Sequence, residues 1–464
     1  MTVRTRFAPS PTGLIHLGNT RTALFNVLFA AKHQGAFILR IEDTDQTRSH
    51  NQFVDALQED LKWLDIDWQE GPIFQSERAA VYEKYYTQLA NQQCIYPCFC
   101  SDHALMLMRK MQLAQGIAPR YAGTCKTLTP EEIAKHQAEG KKPAWRFSVP
   151  PNQKILFTDL VKGEQIFNSN EIGDFIIRRQ DGTAPFLFCN AIDDIEMNVS
   201  HVFRGEDHLT NTSRQVLILQ TLGLPIPLYG HFALIVSQKG SPLSKRQGDM
   251  SIQEMRKKGY LPEGIVNYLA RLGHAMADSQ QLLSLSALAL SFEPKHLSSS
   301  PSAFDEVQLM HWQKTAVQAL SPSRALQWLG EERVQQIPKD KLTDFSNMVT
   351  SNFVFPEDAD IWIAVFFNDS LALDDVSLQT IREAGSNFFA TAMQVIETYD
   401  ANWQTTLQTL QQTLQLQGKK LFMPLRAALT GQLHGPGLQD IAFLLGKEKM
   451  LRRLEVARER ALSA

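Results

Sequence analysis

The hydrophobic pattern opens with a strand, a helix and a second strand. Thr2 to Ala8 reads as an extended run. Ala23, Leu24, Val27, Leu28, Ala30 and Ala31 then recur at helical spacing, and Gly35 stands where a helix C-cap belongs. Ala36 to Ile41 is an apolar run of strand length, followed at its C-terminal end by Glu42, Asp43 and Asp45. This order predicts a parallel crossover unit. Its strand-to-helix loop, Pro9 to Gly18, contains His16 and leads into a helix N-terminus, where free N–H groups favour phosphate. Ligands of such sheets sit outside the carboxyl ends of the strands. The stretch therefore predicts a nucleotide-phosphate site with carboxylates beside it.

Further along, residues 47 to 64 and 77 to 93 have amphipathic helical spacing. Residues 144 to 204 read as β-rich, with apolar runs at Trp145–Val149, Ile155–Val161 and Phe175–Arg178. Phe186 to Asp194 and Val202 to His208 return to buried-strand and helix patterning, with Cys189 as a core residue. A helix is expected over Ser213–Leu222, closed by Gly223, and a strand over Phe232–Val236. Beyond residue 260 the pattern is helical, including Leu261–Gly273 and Asp305–Ala316. The Gln- and Thr-rich surface around 404 to 417 is a biased helix face. The expected class is an α/β N-terminal half followed by an all-α C-terminal region.

Composition narrows the setting. A chain of 464 residues with 44% hydrophobic content is too long for one core. No apolar run approaches the roughly 20 residues needed to cross a bilayer, and no secretory h-region follows the N-terminus. Five cysteines in this length make no disulfide framework, so a reducing, cytoplasmic setting is expected. A net charge of −3 does not advertise a nucleic-acid binder. Local charge says more: Lys245, Arg246, Arg256, Lys257 and Lys258 cluster, and Lys447 to Arg460 is basic, which fits a phosphate-bearing partner of the second half. Cys98, Cys100 and Cys125 have zinc-ligand character. A fourth ligand is needed, and Tyr121, His103 and His136 are the candidates.

Two strings carry a family resemblance. Pro9-Ser10-Pro11-Thr12-Gly13, with His16-Leu17-Gly18-Asn19 and then Ile41-Glu42-Asp43-Thr44-Asp45, resembles the HIGH signature of class I aminoacyl-tRNA synthetases, in its glutamyl/glutaminyl form. Asn19 stands at the second His of the tetrad. Far downstream, Pro242-Leu243-Ser244-Lys245-Arg246 resembles the second class I signature, usually K-M-S-K-S, with Pro242 replacing its first lysine. The C-terminal strings LFMPLRAALTG and GPGLQDIAFLLGKEKMLRRLE resemble the helical anticodon-binding region of bacterial glutamyl-tRNA synthetases. The resemblance covers essentially the whole chain.

It implies a Rossmann-like catalytic domain in two halves, 1–90 and 186–238. An inserted domain for the tRNA acceptor end, 91–185, would carry the zinc element 98–125. A stem-contact helical domain, 239–318, and an α-helical anticodon-binding region, 319–464, would follow. It implies ATP with Mg²⁺ and L-glutamate as substrates, with tRNA(Glu) as acceptor and tRNA generally needed for activation. His16 and Lys245 would be catalytic. Ser10, Gly13, Gly18, Asn19 and Ser244 would join them around ATP. Arg6, Ser10, Glu42, Phe186, Asn190 and Arg204 would hold glutamate, the arginines because a bidentate guanidinium suits a carboxylate. Phe186 takes the place of a family tyrosine and lacks its hydroxyl. In the zinc element, Thr127 stands where relatives often have His, and Tyr121 is a candidate substitute, as in a truncated relative of the family. DNA and membranes are not expected partners, and a monomer is the family expectation.

The alternatives are a glutaminyl enzyme, a nucleotidylyltransferase and a non-catalytic RNA-binding paralogue. The helical C-terminus opposes the first, whose anticodon region is typically β-barrel. The second leaves residues 250–464 unexplained. Pro242 and Phe186 are the features that favour the third. Residues 343–360 contain no arginine, although members restricted to glutamate tRNA often carry one there. This keeps tRNA(Gln) open as a further or preferred acceptor.

Overall fold

The computed structural model describes residues 2–45, 49–241, 250–276, 280–398 and 403–462. Two compact units divide the chain. One comprises residues 1–256 and 265–309, and the other residues 257–264 and 310–464.

The first unit begins with the expected crossover. β1 (Arg4–Phe7), α1 (Leu17–Lys32) and β2 (Ala36–Ile41) follow in order, and β1 pairs with β2 in parallel, Arg6 opposite Ile38. The cap of α1 differs from the expectation. Gln34, not Gly35, adopts the left-handed conformation, at φ 53°. Gly35 N–H donates to Ala30 O at 2.8 Å and Gln34 N–H to Ala31 O at 3.1 Å, the two bonds of a Schellman motif. Gly35 is required for a different reason: a Cβ there would lie 2.1 Å from Val3 O. The chain has to turn closely past the start of β1 to place β2 beside it.

α2 (Asn51–Trp63), β3 (Glu70–Phe74), α3 (Ala79–Asn91) and β4 (Ile95–Cys98) come next, and β3 extends the parallel sheet on the far side of β2. α4 (Asp102–Ala114) and α5 (Pro130–Ala138) lead into β5 (Ala144–Phe147). β6 (Lys154–Asp159) and β7 (Gly163–Asn168) form an antiparallel hairpin, and β8 (Phe175–Arg178) pairs with β5. α6 (Phe186–Glu196) is wholly helical, so the apolar run around Cys189 is a buried helix, not a strand. Helix spans of this length cannot be told from buried strands by hydrophobicity alone.

β9 (His201–Gly205), α7 (Leu209–Thr221) and β10 (Leu228–Phe232) complete the catalytic half, with β9 and β10 parallel. The strand expected at Phe232–Val236 is displaced. The sheet strand ends at Phe232, and β11 (Ile235–Val236) pairs separately with β12 (Ser302–Ala303). Ser200 N–H donates to Arg4 O at 3.0 Å, which sets β9 beside β1. On the other side β10 pairs with β6, Tyr229 opposite Asp159. The hairpin is therefore part of the sheet that carries β9 and β10, and one buried core contains Ile38, Phe147, Ile155, Phe188, Val202 and Tyr229 together. α8 (Ile252–Lys258), α9 (Pro262–Arg271), α10 (Leu285–Ser291) and α11 (Glu306–Gln318) follow.

The second unit is helical among its described residues. It contains α12 (Pro322–Leu329), α13 (Glu331–Val334), α14 (Leu342–Asn352), α15 (Asp358–Phe367), α16 (Asp375–Ala384), α17 (Ser386–Thr398), α18 (Trp403–Leu414), α19 (Lys419–Thr430) and α20 (Leu438–Leu462). Part of the basic C-terminal pattern is structural. Arg453 is buried and donates to Leu429 O and Val365 O, near the C-terminal ends of α19 and α15, where carbonyls lack helical partners.

Gly35→Ala should cost about 1–3 kcal/mol of stability, the usual range for forcing atoms into filled space. Gly13→Ala, with nothing within 4 Å of the added carbon, should change the urea midpoint little. Equal midpoints for the two variants would contradict the close-approach argument.

Candidate active site and cysteine cluster

A cleft of about 570 Å³ opens at the carboxyl ends of β1, β2 and β9. Its lining brings together residues that the sequence separates by almost 200 positions. Arg6, Ser10, Gly13, His16, Gly18 and Asn19 come from β1, the loop and the start of α1. Glu42 follows β2, Phe186 and Asn190 belong to α6, and Arg204 ends β9. Ser244 and Lys245, with Pro242, lie outside the described residues.

The floor of the cleft is a buried ion network. Asp194 on α6 accepts from Arg6 Nε at 3.0 Å and from Arg40 Nη1 at 2.8 Å, with both arginines buried. Burial alone would raise the Asp194 carboxyl, but the Arg6 and Arg40 guanidinium groups outweigh it and hold it below the usual range. Arg40 Nη2 also donates to Asn190 Oδ1 at 2.6 Å, which fixes the amide of a cleft residue. Burial pushes the Glu42 carboxyl up, against the pull of Arg40, the Asn190 amide and Arg6. Ser10 Oγ lies 3.5 Å from Glu42 Oε2. Neighbouring Asp193 accepts from Gln75 Nε2 at 2.8 Å, Arg78 Nε at 2.6 Å and Tyr82 Oη at 2.7 Å, so α6 is anchored on both sides of its turn.

Among the described residues, Arg204 hydrogen-bonds to no carboxylate. Its Nη2 donates to Thr212 Oγ1 and to Gln215 Oε1, both at 2.6 Å, and its Nε to His231 Nε2 at 3.2 Å. Its Nη1 is buried and has no partner among the described residues. Burial and the charge on Arg6 lower its pKa to about 10, which still leaves it cationic at neutral pH. A buried guanidinium with an unmet donor is costly, and the cost disappears when an anion enters beside it.

His16 is the N-cap of α1 in extended conformation. Its backbone bridges to Ser251, and Ile252 N–H donates to Ile15 O at 2.9 Å, so the loop is tied to the start of α8. Gly18 sits beneath its ring: an added Cβ would lie 3.3 Å from His16 Cε1. Arg21 lines the cleft from the next turn. It donates to Ala233 O and, at 3.3 Å, to Leu272 O, latching α1 to the end of β10 and the end of α9. Phe186 packs against His208, ring centroids 5.1 Å apart. Burial and Arg204 lower His208 to about 4, so this cleft residue is neutral.

Sequence reasoning missed Arg40, Arg21, Asp194 and His208. Arg40 and Asp194 left a trace, each a charge inside an apolar run. Arg21 and His208 left none that periodicity can detect.

The cysteine element is compact. The Sγ atoms of Cys98, Cys100 and Cys125 lie within 4.8 Å of one another. Tyr121 Oη is 3.5 Å from the sulfurs of both Cys98 and Cys100, and it accepts from Cys125 N–H at 2.8 Å. The Arg146 guanidinium stacks 3.7 Å from the Tyr121 ring centre. Burial raises the Cys98 thiol, but its hydrogen bonds with Tyr121 and Arg146 reverse this and lower it, whereas burial pushes the Cys100 thiol up to about 11. Three thiols this close form a candidate zinc site, with the Tyr121 hydroxyl as the neighbouring fourth donor. His136 is engaged elsewhere, 3.6 Å from Glu139 and tilted against the Phe99 ring, and His103 is not in the cluster among the described residues.

Comparison with known proteins agrees with this architecture. A family model described as "tRNA synthetases class I (E and Q), catalytic domain" matches residues 2–311, and one described as "Anticodon binding domain" matches residues 322–458. The fold and cleft are therefore those of a class I aminoacyl-tRNA synthetase. Glutamate–tRNA ligase 2 of Coxiella burnetii is 50% identical over 98% of this chain and 99% of its own length. Glutamate–tRNA ligase 2 of Nitrosococcus oceani is 49% identical over 98% of each chain. The crystal structure of glutamate–tRNA synthetase from Elizabethkingia anophelis superposes with a TM-score of 0.88 at 28% identity, covering 99% of this chain and 100% of that one. The chain belongs to the glutamate–tRNA ligases. No helix among the described residues is long and apolar enough to cross a membrane.

Chelator-free protein should carry about one zinc per chain, and Cys125→Ser should lose it, as expected for a four-ligand structural site. A metal-to-protein ratio near zero in the unsubstituted protein would exclude the site.

Proposed function

We propose that the cleft activates L-glutamate with ATP, as its Mg²⁺ complex, and transfers the glutamyl group to tRNA(Glu). An oxygen of the glutamate α-carboxylate attacks the α-phosphate of ATP. Pyrophosphate leaves with the electron pair of the broken P–O bond, giving glutamyl-adenylate. A hydroxyl of the terminal adenosine of tRNA then attacks the acyl carbon and releases its proton, and AMP departs with the electron pair of the broken anhydride C–O bond. This chemistry needs alignment and charge stabilisation more than a covalent nucleophile.

The observation that carries the reading is Arg204. Its buried, unmet Nη1 in the same cleft as Arg6 suits the γ-carboxylate of glutamate. Glu42 is the group for the α-ammonium, with Ser10 and Asn190 beside it. Phe186 supplies a wall without a hydroxyl donor. His16, Gly13, Gly18 and Asn19, at the N-terminus of α1, are the groups for the nucleotide. Ser244 and Lys245 complete this set by sequence, Lys245 against the departing phosphates. An Elizabethkingia meningosepticum glutamate–tRNA ligase, whose structure is described as a complex with its amino acid, superposes with a TM-score of 0.87 at 28% identity. That likeness supports placing an amino acid in this chain.

In our reading the four segments act as the resemblance implies. Residues 1–90 with 186–238 catalyse, 91–185 hold the acceptor end, 239–318 contact the stem, and 319–464 bind the anticodon. Zinc on Cys98, Cys100, Cys125 and Tyr121 would cross-link the base of the insertion and take no part in the reaction. The arginine-free stretch 343–360 supports acceptance of tRNA(Gln) as well.

With tRNA present, Lys245→Ala should lower ATP–pyrophosphate exchange by at least about 10²-fold, the usual effect of removing a group that stabilises developing charge. Its tRNA binding should stay near that of the parent. Exchange near the parent rate would remove Lys245 from the site. Arg204→Gln should raise the glutamate KM while leaving the ATP KM unchanged. An unchanged glutamate KM would remove Arg204 from its role.

A further inference from the structure

Behind Arg204 lies a polar cluster that the reaction itself does not use. His231, on β10, is fully buried. Its Nδ1 lies 2.6 Å from Asp159 Oδ2, and its Nε2 is 3.2 Å from Arg204 Nε. Asp159 ends β6 and is also buried. Its carboxylate accepts from the backbone N–H groups of Val161 and Lys162, at 2.9 Å each, and of His231, at 3.1 Å. It is thus held by four donors: burial alone would raise its pKa, but the His231 contact and the backbone N–H groups of Lys162 and Val161 together hold it below the usual range, so it stays ionised.

This arrangement fixes the imidazole. Asp159 is an acceptor, so Nδ1 carries the proton. Nε2 is then a bare acceptor facing Arg204. The lowered pKa of buried His231 agrees with a neutral ring. Thr212 Oγ1, 2.8 Å from His231 Nε2, and Gln215 Oε1 take Arg204 Nη2. Three side chains from β10 and α7 therefore clamp two of the three guanidinium nitrogens, and only Nη1 is left over. A neutral clamp does this without cancelling the charge: a carboxylate in direct contact would compete with the substrate for Arg204.

We propose that Asp159 and His231 are positioning residues for glutamate recognition. Asp159 selects the His231 tautomer that accepts from Arg204, and so aims Nη1 at the γ-carboxylate. The inference rests on the reading of Arg204 given above. It makes the β6–β7 hairpin a contributor to amino-acid affinity, because Asp159 sits at the end of its first strand.

Asp159→Asn is the direct test. The amide can present a donor to Nδ1, which shifts the ring proton to Nε2 and sets a donor against Arg204 Nε–H. In ATP–pyrophosphate exchange with tRNA present, the glutamate KM should rise about 10- to 100-fold, the range for disrupting a buried charged hydrogen bond. The ATP KM should stay within about twofold, because nothing on the nucleotide side has changed. In an Arg204→Gln background the same substitution should add no further rise, since its effect acts through Arg204. An unchanged glutamate KM, or an additive effect in that background, would overturn the proposal. If Asp159→Asn fails to fold, Thr212→Val, which removes one acceptor of the clamp at similar volume, tests the same clamp. It should raise the glutamate KM several-fold, and an unchanged value would overturn the proposal. If Arg204→Gln itself leaves the glutamate KM unchanged, the reading of the cleft fails and not only its refinement.

Discussion

The cleft depends on an imbalance of buried charge. Arg6 and Arg40 share Asp194, and Arg204 stands on a neutral clamp with one donor unmet. Glu42 is the other carboxylate of the described cluster, and burial already presses it towards its neutral form. Three arginines thus meet two carboxylates directly, and the third buried carboxylate, Asp159, reaches Arg204 only through the His231 ring. Such a floor is expensive in the absence of ligand, because a buried cation is tolerated only when paired and fully hydrogen-bonded. A dicarboxylic amino acid brings the missing negative charge together with acceptors for Nη1. The fold carries a deficit that its proposed substrate removes.

Keeping that deficit requires rigid neighbours. β1, β2, α6, β9 and β10 each contribute one part, and their backbones are fixed by parallel pairing and by a shared core. Arg21 latches α1 to the end of β10, and the Asp193 network anchors α6. The β6–β7 hairpin adds a strand to the same sheet and delivers Asp159 to the back of Arg204. An arginine that can swing gains little specificity. One held on two nitrogens has already lost the entropy that binding would otherwise cost it.

Much of this was legible in the sequence, for physical reasons. A crossover leaves a period-3.6 helix between two apolar runs, so β1, α1 and β2 stood out, and the residues around His16 and Glu42 followed from the rule about strand ends. Arg6 and Arg204, each at the end of an expected strand, are positions that the family resemblance implies, and the structure places both in the cleft. The errors came where one signal serves two structures. The FLFCNAIDD run suits a buried strand or a buried helix, and packing decided for helix. Gly35 stands where a helix cap belongs, but Gln34 takes the left-handed turn and Gly35 is needed for space beside Val3 O. Arg40 pairs with Asp194 across 154 residues and Asp159 with His231 across 72, and no local pattern encodes such a pairing. The signature around Lys245 is read from sequence alone.

The charge argument also says why glutamine should fail. Its amide fills the same space but brings no charge and presents donors where the arginines need acceptors. Sites built around specific hydrogen bonds reject analogues that leave those groups unmet by about 10⁴-fold or more. The most direct measurement is ATP–pyrophosphate exchange by the unsubstituted protein, with tRNA(Glu) present, comparing kcat/KM for L-glutamate and L-glutamine. A preference for glutamate of at least about 10³-fold is expected from the unbalanced arginine floor. Comparable values for the two amino acids would contradict it.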